Sequence, residues 1–364
     1  MIVFFLPNLR PGGAERVMLN VLLSYHIAYP NTKLVLLLGE KTGPLLAEIP
    51  TTIPIYSLGA ANATKSIRPL IKFCKEHQPQ VVFSSLGSAL AASVAKRFVS
   101  SKIVFINRIG NTIGAEKLLF KNPIKRVMYL LANRFIGKNS NHIVFQCHYM
   151  AKDYIKETGV NPKNQSIIYN PVQVEKVEQL SNEKVEKEFT FIAVGRLNPQ
   201  KDYKTLLDAC AILKTRNSTF TLGIIGDGNL KEELQSQLKS LQLEENVFLM
   251  GFHANPYPYM KKARYLVSSS LYEGFSNVII ESLCLGTPVI ATNCPGGNAE
   301  VIHDGKNGWL CKVHDATDLS NVMEKSLDQS VELDTKTIAE NAQAVFHADI
   351  IFKRYEEVLN QYIK

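Results

Sequence analysis

Short runs of β-branched and aromatic residues alternate with longer, helix-compatible segments along this chain, and that alternation limits the folds open to it. Six runs lie in the first half, at residues 1–6, 33–38, 80–85, 102–107, 142–146 and 165–170. Five lie in the second half, at residues 189–195, 220–226, 246–251, 264–270 and 287–292. Strands that alternate with helices form βαβ units on a parallel sheet. The pattern predicts an α/β protein with two Rossmann-like domains.

A charged stretch with little apolar periodicity, residues 171–189, separates the two series and is interpreted as the interdomain crossing. The chain has 364 residues, more than one hydrophobic core usually organises. We therefore predict an N-terminal domain at 1–170 and a C-terminal domain at 171–349. The segment from about residue 335 to 364 is predicted to form two helices, and we expect the final one, about 350–364, to pack back on the N-terminal domain. Ligands of such sheets bind beyond the carboxyl ends of the strands, so the two domains are expected to face an interdomain cleft.

The overall charge of +8 is unevenly distributed. Residues 1–170 contain 21 Lys and Arg against 7 Asp and Glu, which gives +14, whereas the remainder contains 20 against 26, which gives −6. An anionic partner is expected to dock on the basic half, although a diffuse basic excess also serves solubility alone. No nucleic-acid-binding motif accompanies the charge, so we predict no nucleic-acid partner.

The six cysteines form no Cys-x-x-Cys pair, and most lie in apolar runs, which argues against a zinc site or a disulfide framework. No run approaches the eighteen apolar residues that a membrane span needs, and the opening segment lacks a basic start and is interrupted by Pro7. We expect a protein of the reducing cytoplasm.

A glycine turn, Pro11-Gly12-Gly13, follows the first predicted strand and leads into a helix-periodic segment. Backbone N–H groups at such a helix N-terminus favour a diphosphate. The third glycine of the dinucleotide fingerprint is missing, and no acidic residue ends the second strand before Gly39 and Glu40, which disfavours an NAD-dependent oxidoreductase. A tight turn without any ligand explains the glycines equally well.

Two cations, Arg196 and Lys201, lie in GRLNPQKD (195–202), after the first strand of the second half. Such a pair can converge on one diphosphate, arginine as a bidentate donor and lysine as a point charge. The next strand ends in the flexible turn GDGNL (226–230), which lets the backbone approach a ligand. A solvated loop and ordinary turn chemistry are the alternatives.

The most informative motif is EGFSNVIIE (273–281), which joins a strand to a helix. If the helix begins near Ser276, Glu281 lies in its second turn while Glu273 stays in the preceding loop. One carboxylate can then accept a ribose diol and the other the hydroxyls of a sugar, and the backbone N–H groups between them face a phosphate. Surface carboxylates without a ligand, or a general acid and base pair, are the alternatives. The predicted phosphate-binding positions of this motif are Gly274, Phe275, Ser276 and Asn277.

These motifs together, GGAER (12–16), YNPV (169–172), GRLNPQKD, GDGNL and EGFSNVIIE with the trailing SLCLGTPVIATNCPGG, resemble glycosyltransferase family 4. The resemblance extends from residue 12 to about 310. It implies the GT-B fold, with an acceptor-binding N-terminal domain at 1–170 and a nucleotide-sugar-binding C-terminal domain at 171–349. It also implies retention of configuration, which gives an α-linked product.

The resemblance also implies site roles. Arg196 and Lys201 would bind the diphosphate, Glu281 the ribose and Glu273 the transferred sugar. Gly13 would lie near the β-phosphate and the acceptor. Relatives usually hold the nucleotide base near the segment that corresponds to Gly251-Phe252-His253, which implicates His253.

Many relatives carry a histidine in the loop after the strand at 102–107, where this chain has Asn107-Arg108-Ile109. The role of that histidine cannot be transferred to this chain. Arg108 is the available polar side chain, and we predict that it helps to hold the donor or acceptor phosphate.

The chain contains no Asp-x-Asp motif, the usual carboxylate platform for a metal on a donor diphosphate. We therefore predict no metal site and no cofactor beyond the UDP-sugar donor, with Arg196, Lys201 and helix N-termini in the role of the metal. The predicted mechanism is a front-face substitution in which the departing diphosphate oxygen accepts the acceptor's proton.

Residues 117–138 combine six cations with interspersed apolar side chains and contain no acid. Such a basic amphipathic segment suits an anionic bilayer that presents a lipid-linked acceptor, and a core-facing helix with a solvated basic face is the alternative. The resemblance is to bacterial surface-polysaccharide enzymes, which favours a polyprenyl-diphosphate-linked glycan acceptor and a peripheral location at the inner face of the cytoplasmic membrane.

The resemblance thus implies a retaining transferase of a hexose or N-acetylhexosamine from a UDP-sugar, since UDP is the commonest nucleotide of such relatives. A sugar-nucleotide epimerase or a phosphorylase of the same architecture, and an inactive nucleotide-sugar-binding module at the membrane, remain as alternatives.

Overall fold

The computed structural model describes residues 1–10, 12–85, 87–216, 219–328 and 333–363. The chain divides into two compact units. The first comprises Met1–Pro171 together with Asp349–Lys364, and the second comprises Val172–Ala348.

The first unit is built on a seven-stranded parallel sheet with the order β3-β2-β1-β4-β5-β6-β7. Its strands are β1 (Ile2–Leu6), β2 (Leu34–Leu38), β3 (Ile55–Ser57), β4 (Val81–Ser85), β5 (Val104–Arg108), β6 (His142–Phe145) and β7 (Gln165–Ile167). Its helices are α1 (Gly13–Ala28), α2 (Ala63–His77), α3 (Ser88–Ala95), α4 (Ile113–Glu116), α5 (Pro123–Asn139) and α6 (His148–Thr158), with 3-10 turns at Pro44–Glu48, Lys96–Phe98 and Lys117–Leu119.

The second unit contains a six-stranded parallel sheet with the order β10-β9-β8-β11-β12-β13. Its strands are β8 (Phe191–Val194), β9 (Leu222–Ile225), β10 (Val247–Gly251), β11 (Tyr265–Ser268), β12 (Val289–Thr292) and β13 (Gly308–Cys311). Its helices are α7 (Val174–Ser181), α8 (Tyr203–Arg216), α9 (Lys231–Ser240), α10 (Tyr257–Lys262), α11 (Asn277–Cys284), α12 (Asn298–Val301), α13 (Ala316–Leu327) and α14 (Thr335–Phe346), with a 3-10 turn at Pro199–Lys201. The final helix of the chain, α15 (Ala348–Asn360), belongs to the first unit from Asp349 onward.

The predicted strands are present, and two more were missed because their sequences lack a long apolar run. Strand β3 has three residues and lies, partly exposed, at the edge of the first sheet. Strand β13, GWLC, lies at the edge of the second sheet and begins at a glycine. Residues 171–189, interpreted as the interdomain crossing, also contain helix α7, which buries Val174 and Val177.

Strands β1 and β2 are apolar at every position, as expected where helices cover both faces of a sheet. In β1, Ile2, Phe4 and Leu6 belong to one core cluster with residues of α1, whereas Val3 and Phe5 belong to another with residues of α2 and α3. A separate cluster fills the second unit.

Helix α15 completes the core of the first unit. Its side chains Ile351, Tyr355 and Val358 are buried in the cluster formed by β1, α1 and β4. The Tyr355 ring lies 5.9 Å from that of Phe83, centroid to centroid. Among the described residues, no helix combines the length and the apolar character needed to cross a bilayer.

The strand order reverses once in each sheet. In the first sheet β1 lies between β2 and β4, and in the second β8 lies between β9 and β11, so the chain direction across the sheet reverses at β1 and at β8. Ligands of open parallel sheets bind beyond the carboxyl ends of the strands at such a reversal. The loops that follow β8 and β11 therefore begin side by side at the expected position of a ligand.

Candidate functional site

The loop after β8 holds the two predicted diphosphate-binding cations. Lys201 ends the 3-10 turn Pro199–Lys201, and the Asn198 side chain accepts a hydrogen bond from the Lys201 N–H at 3.3 Å. The Lys201 side chain is only 19% exposed. Arg196 is exposed, and its guanidinium makes no ion pair or hydrogen bond with the described part of the chain. Lys201 is thus held in place, whereas Arg196 is available to an anion.

Glycine in the GDGNL turn after β9 allows this turn to pack against the loop after β8, backbone to backbone. The Gly195 N–H donates to Ile225 O at 3.0 Å, and the Leu197 N–H donates to Asp227 O at 3.0 Å. A Cβ on Gly226, whose φ is +153°, would lie 1.9 Å from Gly195 O. Only glycine fits there, so the GDGNL turn supports the cationic loop directly.

Glu273 lies in the loop after β11 and is 7% exposed. Lys201 Nζ lies 2.6 Å from Glu273 Oε1, and Ser270 Oγ donates to the same oxygen at 2.7 Å. A buried carboxylate is tolerated when it is paired and hydrogen-bonded. The predicted residues Lys201 and Glu273 therefore meet, and Ser270 is a third member that the sequence analysis missed.

A second loop, Pro295–Gly297, backs Glu273 and was missed as a part of the site. The Glu273 N–H donates to Pro295 O at 2.9 Å, and the Gly297 N–H donates to Gly274 O at 3.0 Å. A Cβ on Gly296, whose φ is +141°, would lie 2.3 Å from Glu273 O. The signal for this role was the CPGG motif itself, because adjacent glycines after a strand indicate a close backbone approach.

Helix α11 begins at Asn277 with Ser276 as its N-cap, so Glu281 lies in the second turn, as predicted. Tyr257 Oη lies 3.4 Å from Glu281 Oε1. Burial raises the pKa of the Glu281 carboxyl to about 7, and the hydrogen bond from Tyr257 opposes that shift. Glu281 thus changes its charge near neutral pH.

The segment between the two glutamates is buried. Phe275 is 6% exposed, and its ring lies 5.9 Å from that of Phe346. Gly274 and Ser276 are buried as well, whereas Asn277 is partly exposed. The side chain of Phe275 therefore packs in the core, and a ligand would meet this segment through its backbone.

The predicted base-binding residues lie at the end of β10. Gly251 has a φ of +73°, and its carbonyl accepts a hydrogen bond from the Gly226 N–H at 2.8 Å. His253 is partly exposed, and its ring lies 5.1 Å from that of Tyr259. Phe252 is 76% exposed. These residues share the carboxyl edge of the sheet with the loop after β8.

The remaining predicted residues belong to the first unit. Gly13 is the exposed first residue of α1, and Gly12 is its N-cap residue. Pro11 lies outside the described residues. Arg108 is 1% exposed, and its Nε and Nη2 donate to Tyr355 Oη at 3.0 Å and Asn170 Oδ1 at 2.6 Å. Its Nη1 has no hydrogen-bond partner among the described residues. Arg108 thus ties the end of β5 to α15, and its phosphate contact stays a prediction.

Known proteins resemble this chain along most of its length. The model of the family "Glycosyl transferases group 1" matches residues 175–344. A Campylobacter jejuni protein, N-acetylgalactosamine-N,N'-diacetylbacillosaminyl-diphospho-undecaprenol 4-alpha-N-acetylgalactosaminyltransferase, is 31% identical over 350 residues, which cover 91% of this chain and 90% of that protein. The chain belongs to the group 1 glycosyltransferases.

Further comparisons give one more sequence relative of this glycosyltransferase and two solved structures of the same fold. The lipopolysaccharide 1,6-galactosyltransferase of Escherichia coli is 25% identical over 288 residues, which cover 77% of this chain and 75% of that protein. The crystal structure of Anabaena HepE in complex with UDP matches with a TM-score of 0.82 at 18% identity and covers 99% of both chains. The lipopolysaccharide outer core galactosyltransferase WaaB matches with a TM-score of 0.76 at 20% identity and covers 100% of both chains. The predicted GT-B fold is confirmed.

The glycosyltransferase carries one more polar cluster beside Lys201, which the sequence analysis missed. Asp202 is 7% exposed, has a φ of +45°, and accepts hydrogen bonds from Thr205 Oγ1 at 2.7 Å and His314 Nδ1 at 2.8 Å. The hydrogen bond to Asp202 raises the pKa of His314. The cluster fixes the start of α8 directly after the lysine.

The site contains four charged groups. Arg196 is an exposed cation, and Lys201 is a cation paired with the carboxylate of Glu273. Glu281 provides a second carboxylate in the second turn of α11. Cations at the carboxyl edge of a sheet stabilise a departing diphosphate. Carboxylates accept hydrogen bonds from sugar hydroxyls. The loops after β8 and β11 and the start of α11 thus supply cations and carboxylates that can contact phosphates and hydroxyls.

Proposed function

We propose that this glycosyltransferase moves a hexose or N-acetylhexosamine from a UDP-sugar to a polyprenyl-diphosphate-linked glycan, with retention of configuration and an α-glycosidic product. The single observation that carries the proposal is the Lys201–Glu273 ion pair, which joins a diphosphate-type cation to a sugar-type carboxylate at the sheet reversal. The name of the Campylobacter jejuni relative supports the acceptor class, and the UDP complex of Anabaena HepE supports the nucleotide.

Each side chain receives a role from its position. Arg196, which is exposed and unpaired in the described chain, binds the diphosphate together with Lys201. The N-terminus of α11 faces the same phosphates. Glu281 accepts the ribose hydroxyls, Glu273 accepts hydroxyls of the transferred sugar, and the segment around His253 holds the base.

The reaction is a front-face substitution at the anomeric carbon. The bond from the acceptor oxygen to that carbon forms as the bond to the diphosphate oxygen breaks, and the electron pair of the broken bond leaves with UDP. The acceptor's proton passes to the departing diphosphate oxygen. Lys201 and Arg196 stabilise the charge on the leaving group, so the reaction needs neither a metal nor a further cofactor.

The acceptor is reached at the membrane. Six of the exposed large apolar side chains fall between residues 118 and 131, each with more than half of its area exposed: Leu118, Leu119, Ile124, Val127, Met128 and Leu131. The basic residues of 117–138 alternate with them along the sequence. This basic apolar face suits peripheral binding to an anionic bilayer at the inner face of the cytoplasmic membrane.

The direct test is a transfer assay with a panel of UDP-hexoses and UDP-N-acetylhexosamines and a polyprenyl-diphosphate-linked saccharide acceptor. We expect one donor to give an elongated acceptor and free UDP, with an α-anomeric proton coupling in the product. A β-linked product contradicts the retaining mechanism. A new nucleotide sugar formed from donor alone, without acceptor, indicates the epimerase instead.

A further inference from the structure

Two adjacent serines directly after β11 each hold one partner of the Lys201–Glu273 ion pair. The Ser269 hydroxyl donates to the Lys201 carbonyl oxygen at 2.7 Å. The Ser270 hydroxyl donates to Glu273 Oε1, also at 2.7 Å. Both serines are buried, at 2% and 0% exposure. A buried hydroxyl has one proton to donate, so each serine is committed to its acceptor. The lysine is held by its backbone and the glutamate by its carboxylate.

The two carboxylate oxygens of Glu273 have different surroundings. Oε1 accepts hydrogen bonds from Lys201 Nζ at 2.6 Å and from the Ser270 hydroxyl at 2.7 Å. A carboxylate oxygen has about two acceptor positions, so these contacts occupy Oε1 fully. Oε2 accepts no hydrogen bond from the part of the chain that the structure describes. Oε2 is therefore the oxygen left for a ligand.

The backbone of Lys201 is held against the loop after β11. The Leu271 N–H donates to Gln200 O at 2.8 Å, and Gln200 Nε2 donates to Tyr272 O at 3.0 Å. The Ser269 hydroxyl adds the contact to Lys201 itself. The flexible lysine side chain thus starts from a fixed position. After its ion pair, two of the three ammonium N–H groups remain for an anion.

The position of Ser270 is itself fixed by the sheet. The Thr292 hydroxyl, at the end of β12, donates to Ser270 O at 2.5 Å. Ser268 Oγ, at the end of β11, lies 3.4 Å from Ser270 Oγ. Because the Ser270 proton is directed at Glu273, Ser268 is the donor of that contact. The orientation of the Glu273 carboxylate is therefore set by two neighbouring strands before any ligand binds, which is the arrangement of a preorganised site.

We propose that Ser269 and Ser270 are positioning residues with separate tasks. Ser269 fixes the backbone of Lys201 and so places the cation that meets the diphosphate. Ser270 orients Glu273 so that Oε2 meets a hydroxyl of the transferred sugar. The inference rests on the proposed function, which assigns the lysine and the glutamate to the donor. It adds that the two ends of the donor depend on different serines.

The test measures donor binding by calorimetry without acceptor. The probes are UDP, UDP-glucose, UDP-galactose, UDP-N-acetylglucosamine and UDP-N-acetylgalactosamine, and we expect the unchanged protein to bind UDP and at least one of the four sugar nucleotides. Ser270→Ala is expected to weaken that sugar nucleotide about fivefold or more and UDP by less than about twofold, because UDP has no sugar hydroxyl for Oε2. Ser269→Ala is expected to weaken both about threefold or more, because both contain the diphosphate.

The matched control is Ser326→Ala in α13. Ser326 is 0% exposed, and its hydroxyl donates to Met323 O at 2.6 Å, so this variant also loses one buried serine hydroxyl. We expect it to bind all ligands as the unchanged protein does. Ser270→Cys keeps the size of the side chain and a weak donor, and its affinity for the sugar nucleotide should lie between those of Ser270→Ala and the unchanged protein. Thermal unfolding of each variant identifies any that fails to fold.

The difference between UDP and the sugar nucleotide separates positioning from a general loss of structure. A folded Ser270→Ala protein that binds the sugar nucleotide as tightly as the unchanged protein, or that loses UDP to the same extent, would overturn the role of Ser270. Undiminished UDP binding by Ser269→Ala would overturn the role of Ser269. If the unchanged protein binds none of the four sugar nucleotides, the proposed donor is wrong and the inference falls with it. Failure of the proposed function is thus seen in the unchanged protein, and failure of the inference alone is seen only in the variants.

Discussion

Lys201 Nζ lies 2.6 Å from Glu273 Oε1, which links the loop after β8 to the loop after β11. The two side chains are only 19% and 10% exposed, so the pair is largely desolvated. Removal of one partner from such a pair leaves an uncompensated buried charge. Loss of either side chain would therefore change the charge of the site and the packing of the two loops.

Lys201→Ala is expected to lower kcat/KM for sugar transfer by about 10²–10³-fold, because one cation that stabilises the leaving group is lost. The measurement is UDP release with saturating acceptor. Lys204→Ala is the control, since Lys204 forms an exposed ion pair with Glu233. Transfer by the Lys201→Ala enzyme within about twofold of the unchanged enzyme would remove this lysine from the mechanism.

The sequence was sufficient to predict the two parallel sheets, because most of the strands begin with apolar residues on both faces and are followed by helix-compatible segments. It missed β3 and β13, the two edge strands that are either very short or start at a glycine. It missed α7 because charged residues on the solvent face of that helix obscure its buried valines.

The candidate site was predictable where a residue type has a specific chemistry, as for Lys201, Glu273 and Glu281. Supporting contacts were not predictable in the same way. Asp202 is hydrogen-bonded to His314, 112 residues away in sequence. Ser270 lies only three residues before Glu273, but nothing in its residue type marks it as the partner of that carboxylate. Local periodicity contains no information about such contacts. Arg108 illustrates the limit most clearly, because its two hydrogen-bond partners lie 62 and 247 residues away in sequence.

Binding of uridine is expected to weaken as the pH falls from 8 to 6. Burial raises the pKa of Glu281 to about 7, so the carboxyl is mostly ionised at pH 8 and mostly protonated at pH 6. A protonated carboxyl accepts ribose hydroxyls poorly, and the change in ionised fraction predicts about a tenfold loss of affinity. Uridine is the probe because it lacks phosphates that titrate in this range.

Glu281→Gln provides the control for that pH dependence. The amide does not titrate, so we expect weak uridine binding that is equal at pH 6 and pH 8. NMR titrations of both proteins at the two pH values measure it. An equally steep pH dependence in the Gln variant would assign the effect to another group.

Gly296→Ala is expected to reduce both stability and transfer, because the added Cβ would lie 2.3 Å from Glu273 O. Gly305→Ala separates this contact from backbone strain, since Gly305 has a φ of +71° but nothing lies within 4 Å of the position that its Cβ would take. The Gly305 variant should lose about 1–2 kcal/mol from strain alone and keep its activity. Thermal melts and transfer assays of both variants measure these effects, and equal activities would show that Gly296 does not position Glu273.

Transfer is expected to persist in excess chelator. Arg196 and Lys201 provide the positive charge at the diphosphate, and the sequence contains no Asp-x-Asp motif. Initial rates with and without EDTA, after dialysis against the chelator, measure the requirement. Activity that is abolished by EDTA and restored by magnesium or manganese would contradict the metal-independent mechanism.

Replacement of Val127 and Met128 together by serine is expected to weaken binding to anionic liposomes by more than about tenfold, because each apolar side chain that enters the bilayer contributes about 1.5–3 kcal/mol when fully buried. Flotation with phosphatidylglycerol-containing vesicles measures binding. Phe98→Ser is the matched control, since Phe98 is 59% exposed but lies outside residues 118–131. Salt should weaken the basic contribution but not the apolar one. Unchanged flotation of the double serine variant, or equal loss in the Phe98 variant, would show that the basic apolar face does not bind the membrane.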